Sequence, residues 1–324
     1  MSAVAATRAE WLAERRHYLG GTDMAAILGL HPYKTALEVW LEKTGRVPAD
    51  DDMLSKPAAY AGILLEPMLA QLYERINLVE TMPGSLVRHP DYPFLGGNPD
   101  RMRPDGIGVE LKTYGSRMAH KWGEQGTDQI PTEYVVQCVQ YLGLTGAPEW
   151  HVLGFNRDDC EWREYVVRHD PDLWGMVVER GAKFWRDHIE ADKEPPAVAA
   201  DDDVLRERFA QGKPGVVIEA DQFLDAVVAK AMKLGSQARE IYKERDGHIA
   251  TLRQAMGEAT ELVSIHGTVK WPAGEETKTN WELVAIGALK SLPKQDADAL
   301  VALHTETKPK RGNFALPRSK KEVF

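Results

Sequence analysis

Cysteine is scarce in this sequence. The 324 residues include two cysteines, Cys138 and Cys160, and neither belongs to a CxxC motif or a Cys/His cluster. This scarcity excludes a disulfide scaffold, a zinc ribbon and a cysteine-ligated iron–sulfur cluster. It also agrees with a protein of the reducing cytoplasm, which is the location we expect.

Long apolar runs and an excess of positive charge are also missing. No stretch of about 18 apolar residues occurs, so the sequence predicts no membrane span. The N-terminus, MSAVAATRAEW, lacks the basic-then-apolar layout of a secretory signal. The formal net charge of −9 argues against a protein coated in basic surface for passive DNA binding. A local basic groove beside acidic metal ligands is still compatible with that charge.

Helix and strand signals alternate along the first part of the chain. Helical patterns cover about residues 57–76, 132–144 and 172–190, and strand-like runs cover about 85–88, 101–103, 109–113, 151–155 and 162–167. Two capping boxes, Thr7 with Glu10 and Thr35 with Glu38, open further helices. Helices on both sides of a small mixed sheet, an α/β fold, follow from this order.

A segment rich in proline and acidic residues, 191–203, predicts a linker. A long helix over about 221–259, a hairpin around 263–271 and the basic tail KPKRGNFALPRSKK come after it. The tail either touches DNA or is a solvated end. We therefore predict a core domain over 1–195 and a mainly helical extension over 196–324.

The segment GGNPDRMRPDGIGVELKTY carries the candidate chemistry. Glu110 and Lys112 are two apart in a strand and share one face, beside Asp100 on the neighbouring strand. Two converging carboxylates repel each other unless a cation neutralises them, which favours a hard divalent metal. Such a metal polarises a phosphodiester and lowers the pKa of its bound water. Lys112 would orient the nucleophile or offset transition-state charge.

Two further features fit the same site. Glu66 lies within the apolar helical stretch GILLEPML, where a carboxylate is costly without a partner. A salt bridge or a second metal ion would each provide that partner. Gln137 and Tyr141 are spaced i, i+4 and share a helix face. They either pack ordinarily or flank the site.

The motifs LGGTDMAAILGLHPYKTALEVWLEKTG, GILLEPMLAQLY, NPDRM, VELKT and YVVQCVQYLGLTG occur in this order. In this order they resemble the YqaJ-type viral recombinase family, within the lambda-exonuclease-like group of PD-(D/E)xK nucleases. The resemblance covers about residues 11–190 and implies a restriction-endonuclease-like core. It also implies 5′-to-3′ digestion of linear double-stranded DNA, which releases mononucleotides and leaves a 3′ single strand.

The resemblance assigns roles to the candidate residues. It makes Asp100 and Glu110 the metal-ligating acidic pair and Lys112 the catalytic lysine. Glu66 is similar to the helix glutamate that supports a second metal, and Leu111 would lend its backbone carbonyl. The implied cofactor is Mg²⁺, with Mn²⁺ as the alternative and two ions per active site.

A second set of residues, Trp11, Arg15 and Thr22, matches the family segment that binds a 5′-phosphate. Gln137 and Tyr141 match the downstream helix motif on the DNA side. An arginine fork suits a phosphate, and a hydroxyl at a helix N-terminus adds a donor. Arg16 competes with Arg15 for this role. Alternatively, both arginines complement a helix dipole.

The resemblance also implies partners and a source. It predicts a trimeric ring around DNA, a single-strand annealing protein that receives the product strand, and a phage or prophage gene in a bacterial host. Two rival functions stand beside it. An endonuclease on the same fold would not need a 5′-phosphate pocket. A non-catalytic DNA-binding or phage assembly protein would be expected to lack one acidic residue or the lysine, and all are present here.

Overall fold

The computed structural model describes residues 8–47, 57–273 and 281–305. Thr7 and the basic tail, which both entered the sequence predictions, lie outside these residues. The chain divides into two compact units with the boundary after Leu205, rather than after residue 195. The first unit continues because Asp201 is buried and accepts a 2.5 Å hydrogen bond from Thr35 Oγ1.

The first unit begins with helices and continues into the sheet. Its helices are α1 Arg8–Arg15, α2 Gly21–Ile27, α3 Ala36–Lys43, α4 Pro57–Asn77, α5 Thr132–Thr145 and α6 Pro171–Phe184. The helix α7 Asp202–Arg208 follows the 3₁₀ turn Ala199–Asp201 and contains the boundary after Leu205. A 3₁₀ helix covers Ser116–Lys121, and the π-helical segment Trp185–Glu190 continues α6. Its strands are β1 Met82–Pro83, β2 Val87–Arg88, β3 Gly96–Gly97, β4 Arg101–Met102, β5 Gly108–Tyr114, β6 Glu149–Asn156 and β7 Glu161–Arg168.

The start of α3 shows how local chemistry fixes an element. Thr35 Oγ1 accepts a hydrogen bond from Glu38 N at 3.2 Å, and the Glu38 carboxylate accepts one from Thr35 N at 2.8 Å. Two of the four N–H groups that a helix leaves without partners are thereby satisfied. The capping box predicted for this helix is confirmed.

The main sheet has five strands in the order β1-β4-β5-β6-β7. β5 and β6 are parallel, with Glu110 opposite Val152, and the other pairs are antiparallel. A parallel pair needs a crossover connection, and α5 lies in it. Gly96 and Gly97 form β3 and pair with β2.

Helices cover both faces of this sheet. On one face, α4 packs Leu69, Ala70 and Tyr73 against Val109 and Leu111. On the other, α2, α3, α5 and α6 surround Trp150 and Val152 in the larger core. The predicted α/β architecture, a mixed central sheet flanked by helices, is confirmed. Leu111 faces the core, as the strand alternation predicts.

The second unit is mainly helical, as predicted, and contains α8 Gln222–Met256, the hairpin β8 Glu261–Ser264 with β9 Gly267–Lys270, α9 Trp281–Lys290 and α10 Lys294–Leu303. The apolar side of α8 is exposed: Leu224, Val227 and Leu234 are 40%, 47% and 55% accessible. Among the side chains described in this unit, only Met256 is buried. None of the described helices combines the length and the apolar character needed to cross a membrane.

Candidate active site

Asp100 lies at the open edge of β5. β4 pairs with β5 only at Arg101–Val109 and Met102–Gly108, so the edge of β5 is uncovered by β4 from Glu110 onward. Asp100 Oδ2 fills this position and accepts a hydrogen bond from Leu111 N at 2.8 Å. Because the N–H and C=O of one strand residue point to the same edge, the Leu111 carbonyl also faces the Asp100 side.

Glu110 and Lys112 project together from the other side of β5, toward α5. Glu110 is 1% exposed. Its Oε1 forms an ion pair with Lys112 Nζ and accepts a 2.6 Å hydrogen bond from Gln137 Nε2. Its Oε2 is buried and has no hydrogen-bond partner among the residues that the structure describes. One oxygen of this carboxylate is therefore held in place, and the other is left bare.

The electrostatics of this pair follow from burial and from the neighbouring charges. Burial, and next the Asp100 carboxylate, raise the pKa of Glu110 to about 8 despite the nearby Lys112 ammonium. Burial alone would lower the pKa of Lys112, but Glu110 and Asp100 outweigh it and hold that pKa above its usual range. The single ammonium thus does not neutralise the two carboxylates, and further positive charge is favoured there.

Glu66 approaches the same edge from α4, on the opposite face of the sheet. It precedes Pro67, which lies inside the helix. Proline has no N–H to donate to Ile63, so the helical hydrogen bonding is broken beside Glu66. Burial, and next Asp100, raise the pKa of the half-buried Glu66 carboxyl, while Arg101 and Lys112 oppose them.

Glu66, Asp100 and Glu110 are therefore close enough for the charge of Asp100 to raise the pKa of both glutamates. Within the described residues, however, no three His, Cys, Asp or Glu groups stand in ready metal-ligand geometry. The salt bridge considered for Glu66 is not formed with any described residue. Hard carboxylate oxygens, a strand carbonyl and the bare Glu110 Oε2 nevertheless form a donor set that suits a hard divalent cation.

Gln137 and Tyr141 lie on the face of α5 that meets the site. Their side chains are joined by a 3.2 Å hydrogen bond, and Tyr141 OH donates to the Asn98 carbonyl at 2.8 Å. Gly97 must be a glycine here, because a Cβ would lie 2.5 Å from Tyr141 Cε1. Tyr141 is 4% exposed, and its hydroxyl holds the segment before Asp100 in position. The DNA contact assigned to it from the resemblance stays a prediction.

Gln140 is a site-supporting residue that the sequence reasoning missed. It is fully buried, and its Nε2 donates to the carbonyls of Leu19 and Gly96, both at 2.8 Å. It therefore ties α5 to the N-terminal segment and to β3. A polar side chain within the apolar run VVQCVQYLGL was the available signal.

The N-terminal segment packs directly on α5. A Cβ on Gly21 would lie 2.6 Å from Gln137 Cγ, so the close approach of α2 requires glycine. Thr22, the predicted phosphate-binding hydroxyl, is the next residue and is partly exposed. The structure thus places Thr22 beside the helix that carries Gln137.

Asp23 is a second buried carboxylate that the sequence reasoning missed. Its oxygens pair with Lys43 Nζ at 2.7 Å and Lys34 Nζ at 2.9 Å, and Arg15 Nη2 lies 4.0 Å away. Burial alone would raise the pKa of Asp23, but Lys43, Lys34 and Arg15 together hold it far below its usual range. A charged residue after GGT, at the start of an apolar helix, was the available signal.

The structure also separates the two candidate arginines. The Arg15 guanidinium lies near Gly20 and Asp23, at the start of α2. Arg16 instead points toward Gly45, at the end of α3. Arg15 is therefore the arginine that the fold brings to the Thr22 segment. Trp11 lies in α1, and its side chain is outside the described part of the structure.

Asp100, Glu110 and Lys112 thus lie together at the open edge of a mixed α/β sheet. Residues 10–148 match the family model described as the YqaJ-like viral recombinase domain. The uncharacterized protein YqaJ of Bacillus subtilis (strain 168) is 32% identical over 253 residues, covering 72% of this chain and 76% of that protein. The chain belongs to the YqaJ-like viral recombinase family.

A more distant relative and two solved structures are also similar. The uncharacterized protein R354 of Acanthamoeba polyphaga mimivirus is 24% identical over 180 residues, covering 52% of this chain and 32% of that protein. The alkaline exonuclease LHK-Exo from Laribacter hongkongensis has a TM-score of 0.47 at 17% identity, covering 57% of this chain and 93% of that one. A phage related exonuclease from Haemophilus somnus 129PT has a TM-score of 0.36 at 14% identity, covering 54% and 96%.

Proposed function

We propose that this protein is a metal-dependent exonuclease that digests linear double-stranded DNA in the 5′-to-3′ direction. It would release mononucleotides and leave a 3′ single strand for annealing-type recombination. The observation that carries this proposal is the bare, buried Oε2 of Glu110 beside Asp100 and Lys112. A buried carboxylate oxygen without a partner is costly, and a bound cation would remove that cost.

The residues that would hold the metal are Asp100, Glu110, Glu66 and the Leu111 carbonyl. We propose Mg²⁺, with Mn²⁺ as a substitute, and two ions per active site. When bound, the metal would polarise the phosphodiester and lower the pKa of an attacking water. Membership of a viral recombinase family supports a DNA substrate.

Lys112 and Gln137 are the side chains that would assist hydrolysis beside the metal. The Lys112 ammonium lies against Glu110 Oε1, where it can offset the charge that develops on the phosphate during hydrolysis. Gln137 donates to the same oxygen and fixes the orientation of the carboxylate. Because this oxygen is held by two donors, Oε2 is the one that is presented for ligation.

Arg15 and Thr22 are proposed to bind the 5′-phosphate of the DNA end. The charges around α2 support this role, because three cations, Arg15, Lys34 and Lys43, surround the single carboxylate of Asp23. Lys34 also pairs with Glu42 at 2.6 Å. The Arg15 side chain is 30% exposed, so solvent, and hence a ligand, can reach it.

A trimeric ring and a single-strand annealing partner belong to the same proposal. Membership of a viral recombinase family supports the annealing partner, because a recombinase that exposes a 3′ strand needs a protein to pair that strand. The trimer follows from the family resemblance alone. Sedimentation of the purified protein tests the trimer, for which a mass near three times 36.2 kDa is expected.

The decisive experiment compares three DNA substrates, each with Mg²⁺ or with EDTA. The substrates are linear duplex with 5′-phosphate, linear duplex with 5′-hydroxyl, and covalently closed circular duplex. We expect Mg²⁺-dependent release of mononucleotides, fastest from the 5′-phosphorylated linear duplex. Asp100→Asn should abolish it, whereas Asp105→Asn, an exposed carboxylate of the next turn, should not. Cutting of the circle would establish an endonuclease, and inactivity with both Mg²⁺ and Mn²⁺ would overturn the exonuclease and favour the binding protein.

A further inference from the structure

Arg101 lies next to the candidate active site. It follows Asp100 directly and lies opposite Val109 in the β4–β5 pair. Because cross-strand partners project from the same face, Arg101 lies on the face that α4 covers. The positive charge of Arg101 acts to lower the pKa of the Glu66 carboxyl, which lies on α4. Arg101 therefore flanks the site on the Glu66 side.

The guanidinium of Arg101 has no protein partner among the described residues. Its Nε is buried without a hydrogen bond, and no described carboxylate lies within 4.0 Å of it. Arg103, two residues along, also has a buried Nε without a partner. However, its other nitrogens donate to Asp105 Oδ2 at 2.5 Å and to Tyr73 OH at 3.4 Å. A partly buried cation without an anion is costly to maintain, and a ligand that carries an anion would offset that cost.

We propose that Arg101 binds a backbone phosphate of the DNA substrate, beside the phosphodiester that is hydrolysed. This inference rests on the proposed function. The planar guanidinium matches phosphate oxygens with two parallel hydrogen bonds, which the compact ammonium of a lysine cannot reproduce. Glu66 is near enough to act on this charge, but it does not form an ion pair with it, so the guanidinium stays available to a substrate anion.

The test is DNA binding as a function of NaCl concentration, measured in EDTA so that no cleavage occurs. The probe is a 5′-phosphorylated duplex of about 20 base pairs, long enough for one helical turn on each side of a site. The proteins are wild type, Arg101→Ala, Arg101→Lys and the matched control Arg103→Ala, all full length. Thermal unfolding of each variant shows whether it is folded.

Loss of one phosphate contact changes the slope of log K against log[NaCl] by about 0.9. We expect this change for Arg101→Ala, with binding weakened on the order of tenfold at moderate salt. Arg101→Lys keeps the charge, so it should keep the wild-type slope and lose affinity only through the missing second hydrogen bond. Arg103→Ala should keep both the slope and the affinity, because its guanidinium is already engaged by Asp105 and Tyr73.

An unchanged slope in folded Arg101→Ala would overturn the inference. If the metal concentration for half-maximal cleavage also fell, Arg101 would instead act by neutralising Glu66, because its removal would strengthen the attraction of a cation. Should Arg101→Ala fail to fold, Arg101→Lys becomes the deciding variant. A DNA affinity equal to that of the wild type would then overturn the proposed pair of hydrogen bonds to the phosphate. If the wild-type protein showed no salt-dependent DNA binding, the proposed function itself would be wrong. That outcome differs from a failure at Arg101 alone, in which the wild-type protein still binds DNA.

Discussion

Helices α5 and α8 have similar apolar patterns but very different surroundings. α5 has 14 residues, and seven of them are buried between α2, α6 and the sheet. α8 has 35 residues, and among its described side chains only Met256 is buried. Helical periodicity thus predicts which side of a helix is apolar, but it does not predict whether anything covers that side. Because helices in water gain most of their stability from such packing, the two regions should respond differently to substitution.

The largest expected difference lies in catalysis. Lys112→Ala should lower the rate of DNA cleavage by at least about 10²- to 10³-fold, because it removes the cation beside Glu110. Lys230→Ala, on α8, should leave the rate unchanged. Nucleotide release measures cleavage, and fluorescence anisotropy with labelled duplex measures binding. Equal loss of both in Lys112→Ala would point to misfolding instead of a catalytic role.

Core packing comes next. Trp150→Ala should lower the free energy of unfolding by about 3–5 kcal/mol, because the ring is fully buried between α5 and the sheet. Urea denaturation followed by circular dichroism measures the change. A loss below about 1 kcal/mol would mean that the core relaxes around the missing ring, and the contrast with α8 would then weaken.

The buried Asp23 network should be nearly as sensitive and should also depend on pH. Asp23→Asn leaves Lys43 without this carboxylate partner and Lys34 with Glu42 alone, so we expect a loss of about 3–5 kcal/mol at pH 7. The folded-state pKa of Asp23 is held below its ordinary value of 3.8. The wild-type advantage is therefore fully present above about pH 4 and is lost as the pH falls below that. Urea denaturation of both proteins between about pH 3 and pH 7 checks this, and a constant difference would contradict it.

Two glycines provide a matched pair across the regions. Gly97→Ala should lower the free energy of unfolding by about 1–3 kcal/mol and slow cleavage, because its Cβ would overlap the Tyr141 ring beside Asp100. Gly235→Ala, in α8, has open space around it and should be neutral or stabilising by up to about 1 kcal/mol. If both substitutions were neutral, Tyr141 could move aside, and its positioning role would be lost.

The smallest effect is expected for the exposed side of α8. Leu234→Ala should change the free energy of unfolding by no more than about 0.5 kcal/mol, since Leu234 is 55% exposed. Thermal unfolding at several protein concentrations is the measurement. A large loss that depends on concentration would show that another copy of the chain covers this side in solution.

The sequence predicts the elements well because their signals are local. The Thr35–Glu38 capping box, the β5 alternation that places Glu110 and Lys112 together, and the i, i+4 pair on α5 each depend on residues close in the chain. The boundary after Leu205 was missed because it depends on the contact of Asp201 with Thr35, 166 positions away.

The supporting residues of the site were missed for the same reason. Gln140 holds Leu19, 121 positions away in the sequence. Asp23 is surrounded by Lys34 and Lys43, which come together only when α2 and α3 pack. Neither arrangement has a fixed spacing that a single sequence could show. The acidic pair and its lysine, by contrast, depend on one hairpin and were predicted correctly as neighbours.

Helix α5 is in contact with both halves of the proposed site. Gln137 reaches Glu110, and one turn later Gln140 holds the carbonyl of Leu19, just before the segment with Thr22. The distance between the residues proposed to bind the 5′ end of the DNA and those proposed to hydrolyse it is thus set by this one helix. An enzyme that removes one nucleotide at a time needs a constant step length, and here that length would be a property of the scaffold, independent of the base sequence being digested.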